Sequence, residues 1–244
     1  MSETAATGAT EEGYTPHIGE SRQYWRDIIL GVNDGLVSMF LLVVGVVGGG
    51  LASGEVLLTA VAGAIAGAVS MAAGEYLATK SQDEVLEAEL ELERIHIRDF
   101  RDVELGQLRE MFADMGVVED DLDGVVAAFD RSDLALLNAM KSLEFGVVES
   151  ERRSPYLAMA FSGGLFLVGS VPSVLPFAFI DNPGTALALA TVLAMAGLFL
   201  VGVTKANVIQ SSRVKAGMEN LVIAGIGGVI AWFVGDVIGN TLLG

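Results

Sequence analysis

Five stretches of this 244-residue chain are apolar for long enough to cross a bilayer core of about 30 Å, which takes roughly 20 residues of helix. They run from about Asp27 to Gly49, Glu55 to Ala78, Tyr156 to Ile180, Thr185 to Val208 and Met218 to Leu243. Inside a bilayer the backbone must satisfy its own hydrogen bonds, so the fold class is an all-α integral membrane protein with five transmembrane helices. The chain is nevertheless strongly acidic, with 31 Asp and Glu against 14 Lys and Arg. A mean hydropathy of +0.55 and a net charge of −17 are compatible only if apolar and charged residues are segregated along the chain.

The segregation defines four parts. Residues 1–23 read as a mobile acidic tail, since the first 20 lack the positive and apolar regions of a signal peptide. Residues 24–80 hold spans one and two, 81–153 a polar block, and 154–244 spans three to five. The block carries 20 acids and 8 bases, a net of −12. The links near Gly50 and Asp181–Gly184 contain no Lys or Arg, whereas all 14 bases fall on the other side. By the positive-inside rule the N-terminus and the 81–153 block are expected in the cytoplasm and the C-terminus outside.

Within the block, Ser81–Met115 is rich in helix formers, without Pro and without Gly before Gly106, and no breaker separates it from the second span. The expectation is one long helix running out of the membrane. Further helices are expected near Glu119–Phe129 and Asp133–Val148, completing a small helical domain. Lys is scarce (4, against 10 Arg) beside the many acids, a composition suited to a salt-loving host.

With no cysteine, thiolate zinc sites, iron–sulfur clusters and thiol nucleophiles are excluded, and nucleic acid would be repelled. What remains for chemistry is carboxylate, thioether and two His. An ionisable group inside a membrane is costly, about 2.5–3.5 kcal/mol on insertion scales, and marks a functional position by default. Asp34 lies roughly 12 Å into the first span and Met71 roughly 13 Å into the antiparallel second, counted at 1.5 Å per residue. Glu75 follows Met71 by one turn on the same face. Two carboxylates and a thioether at one depth suit a borderline transition metal better than Mg²⁺ or Ca²⁺.

The block offers a second set. Glu89, Glu93 and His96 share a helix face, and Glu93-x-x-His96 is a pair of the type found in di-iron bundles. Such centres need two of these pairs, and one is present. Glu104 lies three turns beyond Glu93, and Met140 and Glu144 are one turn apart on the third helix. The small-xxx-small pairs Gly63/Gly67 and Gly235/Gly239 point to close helix packing, and Pro172 and Pro176 to a bend in the third span. Glu219 reads as a span-end acid that reaches water, and Asp236 as a solvated end residue, with a proton-exit carboxylate as the alternative. No span contains His, which removes serine–histidine proteolysis within the membrane.

The segments GVNDGLVSMFLLVVGVVGG and GAVSMAAGEYLATKSQDE, an acidic insert, and a third span ending in PSVLPF together resemble the vacuolar iron transporter family over residues 24–244. The resemblance implies a homodimer of five-span subunits in the cell membrane, exporting ferrous iron, and in members manganese, in exchange for protons. It implies no prosthetic group; Fe²⁺ is substrate, with Mn²⁺ or Zn²⁺ as further ions for the insert. Asp34 and Met71 match the intramembrane metal pathway, and Glu75 falls in the same motif. In the insert the family pattern has metal-binding Glu and Met. Glu93, Glu104, Met140 and Glu144 keep it, whereas His96, Gln107, Lys141 and Val147 stand where it has Glu, Glu, Met and Glu. His96 still ligates, Gln107 only weakly. On the residues alone two other classes stay open: a membrane-anchored iron-oxidising or storage protein, and a metal sensor that conducts nothing.

Overall fold

The computed structural model describes residues 21–146, 154–208 and 211–242, and among them every regular element is helical. Residues 1–20 of the expected tail, Val147 and Val148, Arg152 and Arg153, and Leu243 lie outside the described residues, whereas the tail's last three positions, 21–23, open the first helix. Eight α-helices follow in order: α1 Ser21–Gly48, α2 Ser53–Asp99, α3 Arg101–Asp114, α4 Glu119–Asp130, α5 Asp133–Leu143, α6 Pro155–Val174, α7 Pro183–Val208 and α8 Arg213–Leu242. A 3₁₀ turn, Leu175–Ala178, extends α6. Five of these helices, α1, α2, α6 with its 3₁₀ turn, α7 and α8, are long and apolar enough to span a membrane.

The two tight connections use short-range chemistry. Between α1 and α2, Gly50 takes a φ of +84°, and the Ala52 N–H donates to Glu55 Oε2 at 2.9 Å, tying down the start of α2. Before α7, Asn182 Oδ1 accepts from the Thr185 N–H at 2.9 Å while Pro183 occupies the first helical position, where a missing N–H costs nothing.

The membrane bundle is organised around α1. One face, with Met39 and Val43, packs with Val56, Ala60, Ala64 and Ala68 of α2, Phe166 of α6 and Ala186 and Ala190 of α7. The opposite face, with Leu36, Phe40 and Val44, packs with Ala194 and Leu198 of α7 and Ala224 of α8. Alanines four residues apart let the backbones approach, since lipid supplies no hydrophobic drive between spans. Helices α1 and α6 approach closely: a Cβ on Gly35 would overlap the Phe166 carbonyl, and one on Gly169 the Val32 carbonyl. Gly235 and Gly239 lie likewise on Gly45 and Gly49, as their spacing suggests.

In the third span α6 passes through Pro172 to Val174, and the chain then tightens into the 3₁₀ turn at Pro176. One expectation about helix continuity needs correcting: Ser81–Met115 is not one helix. The second span does run on without a break, so α2 has 47 residues and is roughly 70 Å long at 1.5 Å per residue. It stops at Asp99, however, and Phe100 (φ −134°, ψ 35°) turns the chain into α3. The cause is tertiary. Ile97 and Leu108 share a buried core with Leu136, Ala139 and Met140, whereas on a straight helix they would stand roughly 16 Å apart. Local propensity yields to burial of that core.

The insert is fastened by two arginines. Arg101 binds Asp130 at 2.6 Å, Asp133 at 2.7 Å and the Asp130 carbonyl oxygen at 2.5 Å, which joins α3 to the α4–α5 corner. Arg109 of α3 bridges Glu119 and Asp123 of α4 at 2.5 and 3.3 Å. The last α5 turn ends at Leu143, short of the expected Val148.

Candidate metal centre

The turn at Phe100 is what assembles the centre. Glu93 and His96 are one turn apart near the end of α2, and Glu104 opens α3. Reversal of the chain brings Glu104 Oε1 to 3.4 Å from His96 Nδ1, with Glu93 Oε2 at 4.0 Å from the same nitrogen. One donor atom from each of the three side chains lies within 4.8 Å of the other two. Phe100 sets its ring edge-on to the imidazole, centroids 6.2 Å apart, and so limits its rotation.

Glu93 and Glu104 are each only 3% exposed, and Glu93 Oε1 and Glu104 Oε2 are buried without a hydrogen-bond partner. Glu93, hidden beside a second carboxylate, resists ionisation. Burial, then the charges of Glu104 and Glu144 and a hydrogen bond that the protonated Glu93 carboxyl donates to Glu104, raise the Glu93 pKa from 4.5 to about 7. Glu144 is raised as well, by burial first and then by Glu104 and Glu89, with His96 opposing. Glu144 thus belongs to the same electrostatic cluster although its side chain is on the solvent side.

The remaining insert positions are less involved. Met140 is fully buried in the apolar core beside Ile97 and Leu108, and Gln107 is exposed on α3, one turn beyond Glu104. The sequence pattern singles out the three central side chains, but their convergence is hidden in it. Only the break at Phe100, in a segment with no helix-breaking residue, discloses it.

In the membrane part, Asp34 is half-buried on α1 and accepts a hydrogen bond from Ser38 Oγ at 3.0 Å, one turn further along. The i, i+4 spacing was a legible sign of this partner. Met71 is half-buried against the α2–α6 core, and Glu75 is half-buried one turn closer to the insert. Helix α6 relates their depths. Gly31 and Gly35, flanking Asp34, face Leu165 and Phe166, while Ala68 and Ala72, flanking Met71, face Gly163. Asp34 and Met71 therefore lie within about one turn of a common level. Asn33, which sequence reasoning passed over, has a buried Oδ1 without a partner beside Asp34.

Comparison with known proteins agrees with the resemblance drawn from the motifs. A family model described as the VIT family matches residues 25–236. Vacuolar iron transporter 1 of Arabidopsis thaliana is 29% identical over 214 residues, covering 87% of this chain and 85% of that protein. Vacuolar iron transporter 2 of Oryza sativa subsp. japonica is 28% identical over 207 residues, 85% of this chain and 84% of that protein. Protein CCC1 of Saccharomyces cerevisiae is 28% identical over 228 residues, 87% of this chain and 68% of that protein.

Proposed function

The chain belongs to the VIT family, and from that premise we propose that it moves ferrous iron, and manganese with it, out of the cytosol in exchange for protons. The observation that carries the reading is the acid inside α1: Asp34, with Met71 near its level and Glu75 a turn toward the insert on α2. These side chains offer oxygen and sulfur donors to an ion that has shed water, which suits Fe²⁺ and disfavours Mg²⁺. Protonation of Asp34 or Glu75 removes the charge that holds the ion, so proton entry and metal release are two sides of one equilibrium.

In this reading the insert is cytoplasmic and gathers metal at Glu93, His96 and Glu104, with Glu144 adding charge. The protein works as a homodimer in the cell membrane and as a secondary transporter rather than an enzyme. An iron-oxidising centre is the weaker reading, because a single Glu-x-x-His pair among the described residues supplies too few ligands for two irons.

Proteoliposomes with a pH dye inside, given an outward Fe²⁺ gradient, should acidify as iron leaves. Asp34→Ala should abolish both fluxes, and undiminished transport in that variant would overturn the assignment.

A further inference from the structure

The three ligands of the insert differ in kind, and the difference says which ions they take. Resting on the metal-transport reading and deepening it, we propose that Glu93, His96 and Glu104 hold one divalent ion of borderline character (Fe²⁺, Co²⁺ or Zn²⁺), and that His96 makes this centre discriminate against Mn²⁺, Mg²⁺ and Ca²⁺.

The number follows from geometry. Three donors within 4.8 Å of one another surround a single ion with bonds of about 2.0–2.2 Å. A second ion would need bridging and terminal carboxylates that the buried pair does not provide. That the space is made for a cation follows from Glu93 Oε1 and Glu104 Oε2, both shut away from water and both without a partner in residues 3% exposed. Buried carboxylate oxygens left unpaired are costly, and a cation relieves both at once.

The class follows from the donor set. Ca²⁺ takes six to eight oxygens and Mg²⁺ keeps an octahedron rich in water, conditions that two buried carboxylates and an imidazole do not meet. Imidazole suits Fe²⁺, Co²⁺ and Zn²⁺, and nitrogen donors widen the gap between these and Mn²⁺, the weakest binder of the first-row series. Entry is also defined. The His96 side chain is 38% exposed whereas those of its two partners are 4% exposed, so the open coordination position lies beside the imidazole. Three protein ligands and an open position make a site that exchanges its ion, unlike a closed four-ligand structural site.

The test uses the full-length protein in detergent, in an Asp34→Ala background that silences the membrane site. Co²⁺ serves as an optical probe, displaced in turn by Zn²⁺, anaerobic Fe²⁺, Mn²⁺, Mg²⁺ and Ca²⁺. One Co²⁺ per chain should bind, and Mn²⁺ should compete at least about tenfold less well than Zn²⁺, the scale on which changes around a metal act. H96E should shrink that ratio about tenfold, and H96Q should weaken Zn²⁺ while leaving Mn²⁺ little changed. His96 is one of two histidines, the other being His17, so ¹⁵N-histidine spectra of the unsubstituted insert report on it directly even where a variant folds poorly. Zn²⁺ should shift one imidazole resonance, retained on His17→Gln. An unshifted His96, two ions per insert, or an unchanged Zn²⁺/Mn²⁺ ratio in H96E would overturn the proposal. Binding is read without any gradient, so a failure of transport in liposomes refutes the transport reading and leaves this result standing.

Discussion

Glu93 is a carboxyl that its surroundings keep protonated near neutrality, with a pKa raised from 4.5 to about 7 chiefly by burial and by Glu104. The folded, metal-free insert therefore holds a proton that the unfolded chain releases between those values. This contribution to stability is fully present below pH 4.5, declines as the pH rises, and is lost on passing pH 7. A shift of that size corresponds to on the order of 3 kcal/mol. Metal reverses the sign, because the ion binds the ionised form and its affinity grows over the same range. Thermal unfolding of the insert, followed by circular dichroism in nanodiscs, should show a midpoint that falls from pH 5 to 8 with chelator and rises with Zn²⁺. Glu93→Gln should flatten the chelator curve; parallel curves with and without metal would contradict the assignment of Glu93 as the titrating ligand.

At the scale of elements, what the sequence discloses depends on whether the deciding force is local. The spans are legible because the bilayer fixes both their length and their apolarity, and α4 is legible because Gly116 and the acids Glu119–Asp121 mark its start. The break at Phe100 is illegible because nothing local demands it; it is the shared burial of Ile97, Leu108 and Met140 that bends the chain. The same distinction separates the glycines. Gly35 and Gly169 are small because two backbones meet there, whereas a Cβ on Gly74 or Gly106 meets nothing within 4 Å. Gly35→Ala and Gly169→Ala should each lower the melting temperature in detergent, with a cost of about 1–3 kcal/mol or more from forcing α1 and α6 apart. Gly74→Ala and Gly106→Ala, in helix interiors with open space, should instead stabilise by up to about 1 kcal/mol. Equal effects at all four positions would show that the α1–α6 contact is looser than its geometry.

On the scale of the whole molecule, the long α2 sets the distance between the two groups of proposed ligands. Met71 and Glu93 are 22 residues apart on one unbroken helix, roughly 33 Å at 1.5 Å per residue. No ion passes directly from one set of donors to the other across that gap; it must leave the insert and travel through solvent. The insert can therefore act only on the concentration of metal at the membrane, through its own site and through its net charge of −12. That field reaches about 8 Å at physiological ionic strength before screening cuts it off. Capture of this kind raises occupancy when metal is scarce and adds nothing when it is plentiful. In proteoliposomes with the insert on the metal side, Glu93→Gln with Glu104→Gln should raise KM for Fe²⁺ roughly tenfold, in line with the loss of affinity on altering a metal's surroundings. The turnover at saturation should stay within about twofold of the parent, because the membrane barrier is untouched. Asp34→Asn, which alters the barrier itself, should lower kcat instead. A fall in kcat matching the rise in KM for the double variant would mean that the insert takes part in the transport step, and that α2 does not stay straight while the ion crosses.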